Sequence, residues 1–247
     1  MRNIWTIAKR EYDHYFISPI AYVVAFIILV TLGIYFATII GVVSRQALFG
    51  GAQAPDITPI NWLFVFLLLF TTPAITMRSI SDEARTGTLE LLLTAPLRDF
   101  ELVIGKWLGG FLFILTILAV TRVYAFIMNG LVTPGIDQRL MLSSYLGVIL
   151  AAAAFLALGV GISAIFTNQI AAFFSTFGMF FIIWFMMSLF ANLVQNGAEV
   201  FQYINLSSHF DAFNSGRIAL SDLVYFLSLI VLGLFTGTTA VEIRRWR

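Results

Sequence analysis

The sequence predicts an all-α polytopic membrane protein with six transmembrane helices, and three observations carry that expectation. Of 247 residues, 60% belong to the hydrophobic set and 11% are charged, whereas a soluble domain averages about half apolar and about a quarter charged. Twenty-five Phe and five Trp stand against fourteen Lys+Arg and thirteen Asp+Glu, too little polar surface to cover a globule in water. Apolar runs of about 20 residues, the length that crosses a hydrocarbon core about 30 Å thick, recur between charged or turn residues. A net charge of +1 argues against nucleic acid as a partner, and the absence of cysteine removes disulfide and thiolate chemistry.

The elements follow in order within a single transmembrane domain, 1–247. Residues 1–18 read as an amphipathic helix lying in the membrane interface: Ile4, Ala8, Tyr12 and Tyr15 or Phe16 share one face with Trp5, while Lys9, Arg10 and Asp13 lie away from it. Ser18-Pro19 breaks that helix and starts the first span. The spans are expected at 20–40, 60–77, 104–128, 141–166, 169–193 and 223–241. In the short second span, Thr71-Thr72-Pro73 can kink the helix and free backbone carbonyls inside the bundle. The third opens with Gly105 and Gly109, the fourth carries Gly147, Ala151, Gly159 and Ser163, and the sixth Gly233 and Gly237; these small residues let helix backbones approach. Thr167-Asn168-Gln169 is short enough to force the fourth and fifth spans into an antiparallel hairpin. The segment before the sixth span is rich in Phe201, Tyr203, Ile204, Leu206, Phe210 and Phe213 and is expected to dip back into the outer leaflet, where Asn205, Ser207, Ser208 and Asn214 can satisfy its backbone.

Orientation comes from the basic residues. Ten Lys and Arg (Arg2, Lys9, Arg10, Arg78, Arg85, Arg98, Lys106, Arg244, Arg245, Arg247) fall on one side and three (Arg45, Arg139, Arg217) on the other. The rule that the richer side is cytoplasmic places both termini there, in a multi-pass protein of the cell (inner) membrane. No small-residue cleavage site precedes the first span, so no removable signal peptide is expected. Arg122 lies inside a span, about 24 Å above Lys106 at the helical rise, where it can snorkel to the outer interface or serve as an intramembrane charge site.

The most charge-dense segment runs from Met77 to Pro96 between the second and third spans. Thr88-Leu89-Glu90-Leu91-Leu92-Leu93 reads as a short helix that Thr88 or Thr86 can cap and Pro96 stops, with Leu89, Leu92 and Leu93 as its apolar stripe. Such a stripe packs either on the protein's own helix ends or in a groove on a partner. Arg78, Glu83, Gly87-Thr88, Glu90-Leu91-Leu92 and Pro96, followed by Gly105-Lys106, resemble the motif of ABC-2-type transporter permeases, especially the gliding-motility and copper-processing branches. The resemblance extends over the whole chain in element order. One departure is Ser207, where many relatives have proline.

The resemblance implies that the segment after the second span is a cytoplasmic coupling helix, with Glu83, Arg85, Gly87, Thr88, Leu89, Glu90, Leu92 and Leu93 forming the surface that docks on the ATPase. It also implies re-entrant extracytoplasmic helices before the sixth span, and a route lined by the second and fifth spans, with Phe173, Phe177, Phe181, Thr71 and Pro73 as candidate path residues. No glycine-rich loop ending in Gly-Lys-Ser/Thr occurs, so this chain is not expected to be an enzyme or to hold a cofactor; ATP and Mg belong on a separate ATP-binding ABC subunit. The expected partners are two copies of that subunit, a second permease chain, identical or homologous, an extracytoplasmic auxiliary protein and membrane lipid. The leading function is the permease subunit of an ATP-driven transporter, an exporter by family habit. The alternative is a non-transporting mechanotransmitter or scaffold driven by the same ATPase. An ion-coupled carrier is disfavoured because no acidic residue lies inside an expected span. His14 and His209 stand on opposite faces of the membrane in this topology and cannot share a metal.

Overall fold

The computed structural model describes residues 2–49, 55–88, 97–132, 135–193 and 197–245. The described residues are helical throughout, apart from turns, and none forms a strand. The helices are α1 (Arg2–Tyr15), α2 (Pro19–Leu48), α3 (Thr58–Thr76), α4 (Ser81–Thr86), α5 (Asp99–Leu131), α6 (Gln138–Ile165), α7 (Gln169–Phe181), a π-helical turn (Ile182–Met186), α8 (Met187–Leu193), α9 (Ala198–Ile204), α10 (Leu206–Asn214) and α11 (Leu220–Arg245). Six stretches are long and apolar enough to cross a membrane: α2, α3 through α4, α5, α6, α7 through α8, and α11. The first of them continues to Leu48, through Gly41 and Arg45 and beyond the sequence boundary at Ile40, since a lone glycine or an end-of-helix cation does not stop a helix.

α6 is the central post. Of its apolar stretch 83% is buried, against 17% in α2, so α2 depends on surroundings outside this chain for most of its cover. Small residues bring the neighbours onto α6. A Cβ placed on Gly161 would fall 2.5 Å from the carbonyl oxygen of Gly233 in α11, and one on Gly147 2.7 Å from the Phe213 side chain in α10. Both approaches are too close for any side chain, which is how a bundle without a hydrophobic drive gains its packing contacts. Asn168 caps α7 through its side-chain oxygen, which accepts the Ile170 N–H at 2.8 Å, and so closes the tight hairpin between α6 and α7.

α1 lies along the base of α5. Gly105 and Gly109 are the small residues that admit it: a Cβ at Gly105 would sit 2.7 Å from Ile7, and one at Gly109 2.6 Å from Glu11. Tyr12 and Thr116 share a hydroxyl hydrogen bond at 3.0 Å, and Tyr15 stacks on Phe113 with centroids 4.9 Å apart. Burial, with Glu11 nearby, pushes the Tyr15 phenol above its ordinary range. The packed face centres on Ile7 and Ala8. Trp5, grouped with that face in the sequence reading, is instead 58% exposed; the glycine groove is narrow and takes the aliphatic residues one turn away.

The opposite end of the bundle is closed by α9 and α10. Gly197, at φ +93°, starts α9 in a conformation open to glycine. Asn205 separates the two helices in extended backbone, and its side-chain oxygen accepts both the N–H and the hydroxyl of Ser207 at 3.1 and 2.9 Å. The departure at Ser207 therefore has a physical account, since a proline could offer neither donor. Phe210 and Phe213 are fully buried.

The fifth crossing is interrupted. At Ile182–Met186 the backbone widens into a π-turn, in which the Met187 N–H reaches back to the Ile182 carbonyl. The turn carries Trp184 inward against Phe155, Trp62 and Phe210. Such single turns recur at functional positions in helices. The uniformly apolar sequence gave no sign of it.

Candidate functional site

The corner after α3 is where the expected docking residues lie. Its backbone is pinned to α6: the Ser163 hydroxyl oxygen accepts the N–H groups of Ile80 and Ser81 at 3.1 and 3.2 Å. Ser81 in turn donates its hydroxyl to the Met77 carbonyl. α4 is six residues long and ends at Gly87, whose φ of +73° makes it a left-handed cap. The helix seen here thus precedes the Thr88–Leu93 stretch that the sequence marks as helical. Leu89, Glu90, Leu92 and Leu93 lie outside the described residues.

Within α4 the side chains divide. Arg85 is exposed and pairs with Asp82 at 3.1 Å, while Asp82 also accepts from the Gln169 amide at the head of α7. Thr88 shares a hydroxyl bond with Thr86 at 3.0 Å. Glu83 turns inward, with its side chain 19% exposed. Its Oε1 receives the Lys106 ammonium at 2.9 Å, and the same ammonium donates to Glu11 at 2.8 Å. Arg10 flanks both carboxylates at 3.7 and 3.8 Å. Lys106 is 3% exposed, so its charge is tenable only because two carboxylates meet it there.

This junction joins three elements far apart in sequence: α1 through Glu11, α4 through Glu83 and the base of α5 through Lys106. Sequence reading placed Lys106 at the base of the third span and did not connect it to either acid. The available signal was a lysine directly after Gly105 in an otherwise apolar run, where a buried cation requires a partner. The neighbouring base is tied as well. Arg245 of α11 pairs with Asp99 at 2.8 Å and donates to the Leu97 carbonyl at 3.2 Å, and Arg244 donates to the Ile165 carbonyl at 3.1 Å.

The path candidates separate into two groups. Phe173, Phe177 and Phe181 line one side of α7 and meet α3 in a ladder of rings: Phe70 lies 5.5 Å from Phe177, Phe66 6.3 Å from Phe185, and Phe181 5.1 Å from Phe185. This ladder is half-exposed and faces out of the chain. Thr71 and Pro73 are buried instead. The Thr71 hydroxyl is spent on the Leu67 carbonyl at 2.9 Å. At the far end of the ladder, burial pushes the Asp211 carboxyl above the usual carboxylate range, and nearby Trp62 offsets it in part. Arg122 is exposed, with its guanidinium 5.9 Å from the centroid of the Tyr145 ring.

At the same end, α10 is held by neutral groups. Ser143 donates to the Phe213 carbonyl at 2.8 Å, Ser144 donates to the Asn214 side chain at 2.5 Å, and Asn214 donates to the Thr58 carbonyl at 3.1 Å. Asn61 completes the chain by donating to Ser144 at 2.8 Å. His209 stacks on Tyr225 at 3.9 Å, with one ring nitrogen 2.7 Å from Asp222 and the other 2.7 Å from the Tyr203 carbonyl.

Two kinds of feature coincide here: a crossing-length helical bundle, and at one end a charged corner that locks a non-crossing helix to the loop after the second span. No curated protein is similar enough to this chain to count as a match. The family model described as "ABC-2 family transporter protein" matches residues 5–242, nearly the whole chain, and the chain belongs to that family of membrane transport components.

Proposed function

We propose that this chain is the permease subunit of an ATP-driven ABC-2-type transporter, an exporter, set in the inner membrane with both termini in the cytoplasm. Members of the family generally work with a separate ATP-binding ABC subunit, and two copies of that subunit with a second permease chain would complete the assembly. ATP and Mg would be held by those partners. The observation that carries the reading is the junction of Lys106 with Glu11 and Glu83. A partner pushing on the segment after α3 would move α1 and the base of α5 with it, because separating them would strand a buried charge. A two-state bundle driven by binding energy on a partner needs such a stiff input.

On this reading α1 lies in the interface, the segment from α4 to residue 93 is the coupling element, and α9 with α10 forms the re-entrant outer hairpin. The half-exposed ring ladder of α3 and α7 faces the second permease chain and borders the route. Its nearly uncharged lining suits an apolar or lipid-like passenger. The test is co-expression of the tagged chain with its genomic neighbours, capture in mild detergent and mass spectrometry of what is retained. Recovery of an ATP-binding subunit is expected, and Arg85→Glu is expected to weaken that recovery without lowering membrane insertion. Repeated recovery of the chain alone, in good yield, would overturn the proposal.

A further inference from the structure

Two cavities beside α2 share a wall. A polar cleft of about 660 Å³ opens between α1 and the corner after α3. An apolar groove of about 540 Å³ runs between α2 and α3. Ile20 and Ala74 line both, so the two cavities adjoin, and together they form a trough from charged to hydrocarbon surroundings where α1 meets the crossing helices. Each part falls within the size range of small-molecule sites.

The charges of the cleft resolve by pairing. Lys106 and Arg10 are met by Glu11 and Glu83, and Asp82 is met by Arg85. Arg78 and Asp13 remain: both line the cleft, both are exposed, and neither side chain has a hydrogen bond or ion pair among the described residues. The site thus offers one cation and one anion, unspent, at the mouth of a groove whose walls include Val23, Ile27 and Phe70, exposed by 55%, 44% and 44%. A groove of that lining within a crossing bundle is filled by hydrocarbon, since water would find no partners in it.

We propose that this trough binds one zwitterionic aminophospholipid from the leaflet on the α1 side. Its phosphate sits on the Arg78 guanidinium, a geometry suited to charge-assisted hydrogen bonding. Its ammonium faces Asp13, and one acyl chain lies between α2 and α3. An anionic headgroup would satisfy Arg78 and leave Asp13 repelling it, so the mixed pair selects the zwitterion over phosphatidylglycerol. The lipid would pack along a helix that this chain leaves largely uncovered, next to the joint between α1 and the corner after α3.

The test uses the full chain purified in mild detergent, stripped of lipid, and incubated with mixed micelles containing either dioleoyl-phosphatidylethanolamine or dioleoyl-phosphatidylglycerol. Retained phospholipid per chain is then counted by native mass spectrometry. Wild type is expected to hold one phosphatidylethanolamine, about fivefold more than phosphatidylglycerol, and Arg78→Ala to lose about fivefold of it, the scale of one charge-assisted bond. Ala74→Trp, which blocks the junction of the two cavities, is expected to abolish retention; Arg78→Ala, an exposed change, keeps the test valid if the tryptophan variant fails to fold. A photo-reactive side chain at Val23 is expected to cross-link phospholipid. Equal retention in wild type and Arg78→Ala, equal retention of the two lipids, or a Val23 cross-link to a second copy of the chain would overturn the proposal. None of these readouts involves the ATP-binding subunit, so the site can fail while the permease reading stands, and the reverse.

Discussion

The two ends of the bundle face the same task, which is to hold helices that do not cross the membrane against helices that do, and they solve it with different chemistry. At the α1 end the fastening is ionic: one buried ammonium between two carboxylates, with Arg10 alongside. At the α10 end it is neutral for the most part, a run of hydroxyl and amide bonds from Asn61 through Ser144 to Asn214 and Thr58, with His209 and Asp222 beside it. A neutral network of short side chains holds one geometry and loses little when a single bond goes. A charge cluster is all-or-none, because removing one member leaves the others desolvated. The first suits a fixed closure, and the second suits the joint that the proposed function requires.

That contrast can be broken most sharply at Lys106. Lys106→Met leaves the part-buried Glu11 and Glu83 side by side without their ammonium, and a loss of about 3 kcal/mol is expected in thermal unfolding of the detergent-solubilised chain. Adding Glu11→Gln and Glu83→Gln to the same variant is expected to restore much of it. At the other end, Asn214→Ala strands the Ser144 hydroxyl and the Thr58 carbonyl, and a smaller loss of about 1–3 kcal/mol is expected. Limited proteolysis of α9 and α10 should rise in parallel. Were the two losses equal, the distinction between the ends would fail.

Two smaller effects sharpen the picture. Burial raises the Asp211 carboxyl in the folded chain, so the folded state favours the protonated acid. Its contribution is then fully present below the ordinary carboxylate range and is lost as pH rises through the raised folded value. Asp211→Asn is therefore expected to raise the unfolding midpoint at neutral pH and to leave it unchanged in acid. The gain would be well under about 1 kcal/mol, because the residue is substantially exposed. Arg122→Leu is expected to be the quietest change, within about 0.5–1 kcal/mol, since an exposed cation over one ring is worth no more. Loss of transport-linked activity with normal expression would give Arg122 a role beyond snorkelling.

The crossing helices were legible because hydropathy and length decide them, and a run such as Met141 to Phe166 has no soluble alternative. Gly105 and Gly109 were legible as packing residues, although their partner was not: α1 is a hundred residues away, and nothing in a glycine says which surface it admits. Lys106 was legible as a charge at the base of the third span, but its pairing was not, since only the fold brings Glu11 and Glu83 to it. His209 stacks on Tyr225 and pairs with Asp222 across a turn, and neither contact has a local sequence pattern. The π-turn was invisible, since Ile182–Met186 is as apolar as the helix on either side. The motif after the second span led to the family, while its leucine stripe stands outside the described residues.

The joint itself is open to one direct measurement: the distance between spin labels at Lys9 and Arg85, both exposed residues on the two elements that Lys106 ties together. A locked junction gives a narrow distance distribution in the native chain, and a broad one once Lys106 is changed to Met. Equally narrow distributions in both would contradict the claim that the buried lysine fastens α1 to the segment after α3, and with it the proposed route by which ATP-driven motion reaches the bundle.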